Sequence, residues 1–149
     1  YPRSRKNLYF TDMTRTFCKG KASDDLKKIY SAVLEAQKIG FEKIHAREEG
    51  KKVHESIMKY FDENGYKTGI INGILQGFID GTGHGLGLDC HELPSISLNG
   101  TVLPENSIVS VEAGLYYLDI GAVRIEDLVV VKKDGIENLN SFHKILEIS

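Results

Sequence analysis

Residues 108–131 read IVSVEAGLYYLDIGAVRIEDLVVV, and this stretch decides the fold because apolar and polar side chains alternate along it. Since strand side chains point in turn to opposite faces of a sheet, the segments 108–118 and 122–131 are predicted to be strands. The residues between them, Asp119-Ile120-Gly121, are few enough for a tight turn. We therefore predict an antiparallel hairpin at the centre of the fold.

The predicted hairpin brings two glutamates into opposition. If its turn centres near Asp119, Glu112 and Glu126 face one another with their Cβ atoms roughly 4.5–5.5 Å apart, and like charges in such a pair are destabilising. Arg124 lies on the same face as Glu126, two residues earlier. A bound cation would offset both carboxylates, whereas a solvated sheet face would tolerate them without one. The spacing leaves both interpretations open, although the neighbours in AVRIEDLVVV are those of a buried sheet.

Residues 8–17, LYFTDMTRTF, are predicted to form another strand because they are rich in threonine and aromatic residues. Alternation places Asp12 on the same face of this strand as Thr14 and Thr16. Asp12 is therefore a third carboxylate that a strand presents to one face.

Two helices are predicted between these segments. Ser23-Asp24-Asp25 offers a capping hydroxyl followed by acids, and apolar spacing predicts a helix from about residue 23 to the mid-forties. A second helix is expected after Gly50, ending near Gly65, with His54 on its surface. The order of strand, helices and further strands indicates an α+β fold with helices packed on an antiparallel sheet.

The composition of the chain excludes several classes of protein. Its 149 residues suit one domain, and its net charge of −2 shows no electrostatic footprint for nucleic acid. We find no apolar run long enough to span a membrane. The two cysteines, Cys18 and Cys90, suit free thiols in a reducing compartment. We expect a cytoplasmic protein with neither nucleic acid nor a membrane as a partner.

The segment GTGHGLGLDCHE, residues 81–92, holds four glycines and two histidines. It lacks the glycine spacing of a dinucleotide-binding loop, the Gly-Lys-Ser/Thr of a phosphate loop and the second histidine of a zinc-binding HExxH helix. What remains is a backbone that approaches something closely and turns tightly on either side of His84. A histidine in this setting, together with spare carboxylates, favours a metal ligand.

These motifs together resemble the pita-bread metallopeptidases, the family of methionine aminopeptidases, Xaa-Pro aminopeptidases and prolidases. The resemblance rests on TDMTRT (11–16), GTGHGLGLDCHELP (81–94), VSVEAGLY (109–116) and VRIED (123–127), in the family's order. It implies the second half of the pita-bread fold, with helices on a curved antiparallel sheet. Residues 1–149 would then be part of a catalytic domain whose N-terminal portion is missing.

The resemblance also implies a set of site residues. Two divalent metal ions would be held by Asp12, His84, Glu112 and Glu126, with Mn, Co or Fe favoured and Zn also compatible. Glu112 would take a proton from water and pass it to the leaving nitrogen. His91 would contact the substrate and the developing charge, and Arg124 would lie beside the substrate.

Two departures from the family pattern are expected to matter. The family's first aspartate ligand should lie about a dozen residues before Asp12, given usual strand and turn lengths. That position falls at or just before Tyr1, so the ligand lies upstream or the site is damaged. Asp80 stands where proline-directed members often carry a histidine, which affects substrate contact more than metal binding.

The implied activity is removal of an N-terminal residue from peptide substrates, as an Xaa-Pro aminopeptidase or Xaa-Pro dipeptidase. The stretches 88–92 and 123–127 resemble these enzymes more than methionine aminopeptidases. Methionine aminopeptidase and creatinase-like hydrolysis remain alternatives, as does an inactive homologue that acts as a binding module. The sequence leaves the oligomeric state open, a homodimer included.

Overall fold

The computed structural model of the chain describes residues 2–149, so that Tyr1 lies outside the described residues. The elements in chain order are β1 (Cys18–Lys19), α1 (Asp24–Lys43), α2 (Gly50–Glu63), β2 (Gly69–Ile71), β3 (Ile74–Gln76), β4 (Gly83–Gly85), β5 (Glu92–Ile96), β6 (Ile108–Tyr117), β7 (Gly121–Lys132), β8 (Gly135–Asn138) and β9 (Glu147–Ile148). Five strands form an antiparallel sheet in the order β5-β4-β6-β7-β8. Helix α1 packs on β6 and β7, and α2 packs on α1 and β5. This arrangement confirms the α+β prediction.

The predicted hairpin is present, with β6 and β7 paired along their length. Glu112 lies directly opposite Glu126, as predicted. The alternate residues, among them Val111 and Ile125, are fully buried, because they face α1. The sheet therefore has an apolar face under the helix and a polar face that carries the glutamates.

The two predicted helices are confirmed, with one correction. The Ser23 hydroxyl accepts a hydrogen bond from the Leu26 N–H at 3.2 Å and caps α1. The surface position expected for His54 on α2 is wrong, because this residue shares the buried face of the helix with Ile57 and is only 5% exposed. Its Nδ1 lies 2.9 Å from the Thr82 hydroxyl oxygen.

The strand predicted for residues 8–17 is wrong. This segment forms only isolated bridges, from Phe10 to Arg3 and from Thr14 to Glu126, and the two-residue strand β1, which pairs in parallel with β9, begins after it at Cys18. The physical reason is that side chains make many of the hydrogen bonds to β7. For example, Arg15 Nη1 donates to the Glu126 carbonyl at 2.7 Å.

The residues after β8 run along the edge of β7 towards segment 8–17. The Asn140 side-chain oxygen accepts from the Leu128 N–H at 2.6 Å, and the Phe142 carbonyl accepts from Arg15 Nη2 at 2.9 Å. Within residues 2–149, neither helix combines the length and apolarity that a membrane crossing needs.

Candidate metal centre

The paired glutamates lie on the face of the hairpin opposite α1. The Glu112 N–H donates to the Thr82 carbonyl at 2.7 Å and the Glu126 N–H donates to the Thr14 carbonyl at 3.0 Å. Because their N–H groups point away from each other, they form the closer type of cross-strand pair. Glu126 is 2% exposed, and its Oε2 accepts from the Thr14 hydroxyl at 2.6 Å. Its Oε1 is buried and has no hydrogen-bond partner among residues 2–149.

Asp12 reaches the same face from segment 8–17. The predicted alternation holds here, because Asp12 is 9% exposed whereas its neighbour Met13 is 41% exposed. Asp12, His84 and Glu126 each offer one ligand atom, and these atoms all lie within 4.8 Å of one another. Three residues that the sequence assigned to one metal site are thus close together in space.

His84 turns its ring nitrogen Nε2 towards these acids. Its Nδ1 lies 3.0 Å from the Gly85 carbonyl oxygen. Since that oxygen can only accept, Nδ1 carries a proton. Nε2, which has a lone pair in the neutral form of the ring, lies 3.4 Å from Glu112 Oε1 and 3.9 Å from Asp12 Oδ2. In that form Nε2 and the carboxylate oxygens are all acceptors, and a cation bound between them would satisfy all of them.

The glycines around His84 allow strands to approach closely. Strand β4 lies between β5 and β6, and a Cβ atom at Gly83 would overlap the Ser110 carbonyl oxygen, as one at Gly85 would overlap that of Leu93. The expected close approach is therefore confirmed. The tight turns expected on either side of His84 are wrong, because Gly83–Gly85 is a strand and neither glycine has a positive φ.

Burial, more than the crowding of the carboxylates, raises the pKa values of both glutamates of the centre. Burial raises the pKa of Glu112 to about 7, against the opposing effects of the Arg124 charge and the Ser110 hydroxyl. Burial, with the nearby charges of Glu112 and Asp12, raises the pKa of Glu126 to about 7. Three carboxylates and one imidazole, with one carboxylate oxygen buried and unpartnered among residues 2–149, form a donor set that fits a divalent metal ion.

The two residues predicted to contact substrate lie beside this donor set. The rings of His91 and His84 have their centroids 4.2 Å apart. Arg124 Nη1 donates to the Tyr116 hydroxyl at 3.3 Å, and its buried Nε has no partner among the described residues. Arg124 and Asp12 line a cavity of about 550 Å³. Substrate contact by His91 and Arg124 stays a prediction.

Sequence reasoning missed the polar residues that support the acids. Ser110 donates from its hydroxyl to Glu112 Oε1 at 3.3 Å and accepts from the His84 N–H at 3.0 Å. Thr14 holds Glu126, and Arg15 forms a 2.6 Å ion pair with Asp127, the residue that follows Glu126. Thr14 and Arg15 stand within TDMTRT. Their position in the same motif as Asp12 is the sequence feature that could have identified them as supporting residues.

Comparison with known proteins places the chain among peptidases. The profile of metallopeptidase family M24 matches residues 4–133. The Xaa-Pro dipeptidase of Pyrococcus furiosus is 35% identical over 141 residues, which cover 94% of this chain and 38% of that protein. Asp12, His84, Glu112 and Glu126 all fall inside the matched residues.

Solved structures agree with this placement. The Xaa-Pro dipeptidase from Bacillus anthracis superposes with a TM-score of 0.84 and 39% identity, over 94% of this chain and 38% of that one. The X-Pro aminopeptidase from Thermotoga maritima gives a TM-score of 0.82 and 34% identity, over 94% and 38% of the two chains. The chain thus spans about 38% of the length of these relatives. The likeness confirms the pita-bread fold, and the chain belongs to metallopeptidase family M24.

Proposed function

We propose that this chain carries the metal centre of an exopeptidase of the Xaa-Pro aminopeptidase or Xaa-Pro dipeptidase type. The observation that carries the proposal is the grouping of one ligand atom each from Asp12, His84 and Glu126 within 4.8 Å of one another, with Glu112 Oε1 3.4 Å from His84 Nε2. A buried oxygen of Glu126 also lacks a hydrogen-bond partner among residues 2–149. The names of the similar proteins support the Xaa-Pro type. Because these relatives are longer than the chain, residues 1–149 are proposed to form only part of a pita-bread catalytic domain, its C-terminal part as the family resemblance implies.

The ligands we propose for two divalent ions are Asp12, His84, Glu112 and Glu126, with Mn, Co or Fe favoured and Zn compatible. Oxygen-rich ligation with a single imidazole suits these ions. The position expected for a fifth ligand, at or just before Tyr1, lies outside the described residues. Divalent ions bound here would supply Lewis acidity, which polarises a carbonyl group and lowers the pKa of water.

Three side chains are proposed to carry out proton transfer and substrate binding. Glu112 is the proposed proton carrier, because Ser110 orients its Oε1 and it lies next to His84. His91 is proposed to donate a hydrogen bond to the carbonyl oxygen of the substrate as charge develops there. Arg124, held by Tyr116, is proposed to bind the peptide.

The comparisons favour the Xaa-Pro type over methionine aminopeptidase, because the relatives described above are dipeptidases and aminopeptidases of that type. An inactive homologue that serves as a binding module is the outcome to expect if metal binding fails. A homodimer, a cytoplasmic location and the expected absence of nucleic acid and membrane partners stay predictions.

Metal binding is the decisive experiment. Calorimetric titration of the metal-free chain with Mn²⁺ and Co²⁺ should show binding that Asp12→Asn and Glu126→Gln weaken strongly. Asp119→Asn is the matched control, because Asp119 is exposed in the hairpin turn and its loss should leave the affinity unchanged. Equal affinity in all four proteins would contradict the proposed centre.

Substrate type is tested on the full-length protein loaded with the better-bound ion. Hydrolysis of an Xaa-Pro dipeptide and an Xaa-Pro tripeptide should exceed hydrolysis of the matching Xaa-Ala peptides, and Glu112→Gln should abolish it. Cleavage restricted to N-terminal methionine would instead identify a methionine aminopeptidase.

A further inference from the structure

A buried polar side chain bridges the two glutamate-bearing strands from the helix side of the sheet. Gln37, on α1, is 1% exposed. Its Nε2 donates to the carbonyl oxygens of Val111 at 2.9 Å and Ile125 at 3.3 Å. The peptide groups of these carbonyls lead directly into Glu112 and Glu126. Gln37 therefore joins β6 to β7 at the level of the paired glutamates, without touching either carboxylate.

Lys144 fixes the orientation of the Gln37 amide. Its Nζ donates to Gln37 Oε1 at 2.6 Å and to Asp127 Oδ2 at 2.6 Å. Because an ammonium group only donates and a backbone carbonyl only accepts, a single orientation of the amide satisfies Lys144 and both strands. The side chain of Asp127 is fully buried, so Lys144 is held by two inward-facing oxygens.

The network continues to the segment that carries Asp12. Arg15 binds Asp127 at 2.6 Å and also donates to the carbonyl oxygens of Thr14 at 2.9 Å and Glu126 at 2.7 Å. The chain of contacts from Gln37 through Lys144 and Asp127 to Arg15 therefore reaches the backbone next to Glu112 and Glu126, and the segment that carries Asp12. Its members lie on the opposite side of the sheet from the acids.

A glutamine at this position is unexpected on structural grounds alone. The neighbouring buried residues of the α1 stripe, Val33 and Ala36, are apolar and fully buried. An apolar side chain would seal the helix against the sheet without the cost of desolvating an amide. What the amide adds is a fixed spacing between two peptide groups, and small displacements of ligand-bearing backbone are costly at a reactive centre.

We propose that Gln37, oriented by Lys144, is a positioning residue of the metal centre that sets the spacing of Glu112 and Glu126. The inference rests on the proposed function for the identity of the centre. Outer contacts that orient metal ligands typically change metal affinity by about 10–100-fold when they are removed. We expect an effect of that size from loss of the Gln37 amide.

The test compares three variants with the unsubstituted chain, with Co²⁺ as the probe. Gln37→Met keeps the length of the side chain and removes its donors and acceptor, whereas Gln37→Glu keeps an acceptor for Lys144 and removes the donors. Both should bind Co²⁺ about 10–100-fold more weakly and change the visible absorption of the bound ion. Val33→Ala, four residues earlier on α1, is the control and should lose stability while keeping affinity and spectrum.

A second readout separates this inference from the proposed function. Hydrogen exchange of the Glu112 and Glu126 amides is measured in metal-free protein and corrected for the change in global stability. We expect it to be about tenfold faster in Gln37→Met and unchanged in Val33→Ala. Wild-type exchange and wild-type Co²⁺ affinity in Gln37→Met would overturn the positioning role. Faster exchange in a chain that never binds Co²⁺ would support positioning and contradict the proposed function.

Discussion

Two parts of the molecule bring acids to the centre, and they are held in different ways. Strands β6 and β7 carry Glu112 and Glu126 on a continuous antiparallel ladder, whose other face is buried under α1. Segment 8–17 carries Asp12 and is anchored to β7 largely through side chains. The anchoring side chains are those of Thr14, Arg15 and Thr16. A strand ladder is stabilised by many backbone hydrogen bonds, whereas segment 8–17 depends on a few side chains. We therefore expect single substitutions to destabilise the segment more than the hairpin.

Arg15→Met should give the largest effect, because it removes the main anchor of the segment. The side chains of Arg15 and Asp127 are 3% and 0% exposed, so the variant leaves a buried carboxylate short of one cation. We expect the free energy of unfolding to fall by about 3–5 kcal/mol, measured by urea denaturation. Lys27→Met is the control, since the Lys27–Glu147 pair is exposed and should contribute about 1 kcal/mol or less. Equal losses in both variants would remove the distinction between the two regions.

The paired glutamates should destabilise the hairpin when both are ionised. In protein freed of metal by a chelator, the free energy of unfolding should therefore depend on pH. The pKa values of Glu112 and Glu126 are raised from 4.5 to about 7 in the folded chain. Between these values the folded protein keeps protons that the unfolded chain has released, so the free energy of unfolding falls as pH rises from about 4.5 to about 7 and then levels off. At about 1.4 kcal/mol per pKa unit, each glutamate should account for a loss of about 3 kcal/mol.

The variant Glu126→Gln removes the contribution of Glu126 ionisation to the free energy of unfolding, since an amide does not ionise. The free energy of unfolding of the variant should depend less on pH than that of the unsubstituted chain over the same range. At pH 8 without metal, the variant should be the more stable of the two proteins. A parallel pH dependence in the two proteins would mean that the paired glutamates do not strain the hairpin. Addition of Mn²⁺ should reverse the order of the two stabilities.

Thr14→Val tests the point where the two regions meet. Thr14 donates to Glu126 Oε2 at 2.6 Å, and a hydrogen bond to a charged group is worth about 1.5–3 kcal/mol. We expect a loss of this size at pH 8, together with a further rise in the pKa of Glu126, which the bond from Thr14 lowers. Thr14→Ser keeps the hydroxyl and should restore both quantities, as read by denaturation and by carboxyl NMR titration.

Ser23→Ala should give the smallest effect. Ser23 caps α1 through the Leu26 N–H, and loss of such a cap costs about 1 kcal/mol. Because the cap lies at the start of the helix, away from Gln37, the Co²⁺ affinity should stay at the wild-type value. A drop in affinity would show that the helix transmits any loss of stability to the centre.

The contrast between the two regions also explains what the sequence could predict. The alternation in 108–131 was sufficient for the hairpin, its register and the opposition of Glu112 and Glu126, because a two-residue period has a direct structural meaning. Resemblance to a family supplied the grouping of Asp12 and His84 with these residues. Neither argument had a means of finding the side-chain anchors of segment 8–17.

Gln37 and His54 were missed for a related reason. Each is a polar residue on a helix, and a helical pattern of apolar residues assigns polar residues to the surface. Their burial depends on partners that are distant in sequence, such as Val111 for Gln37 and Thr82 for His54. Contacts of this kind depend on tertiary packing, and no pattern in the neighbouring sequence indicates them.

The bond between Thr14 and Glu126 spans 112 residues of sequence, and that between Arg15 and Phe142 spans 127. The opposed glutamates, in contrast, are joined by a short turn. Contacts that close a long loop carry a larger entropic cost and form later in folding than local ones. We therefore expect the centre to be assembled in two stages. The glutamates meet first on a nascent hairpin, and Asp12 arrives once segment 8–17 has docked on β7.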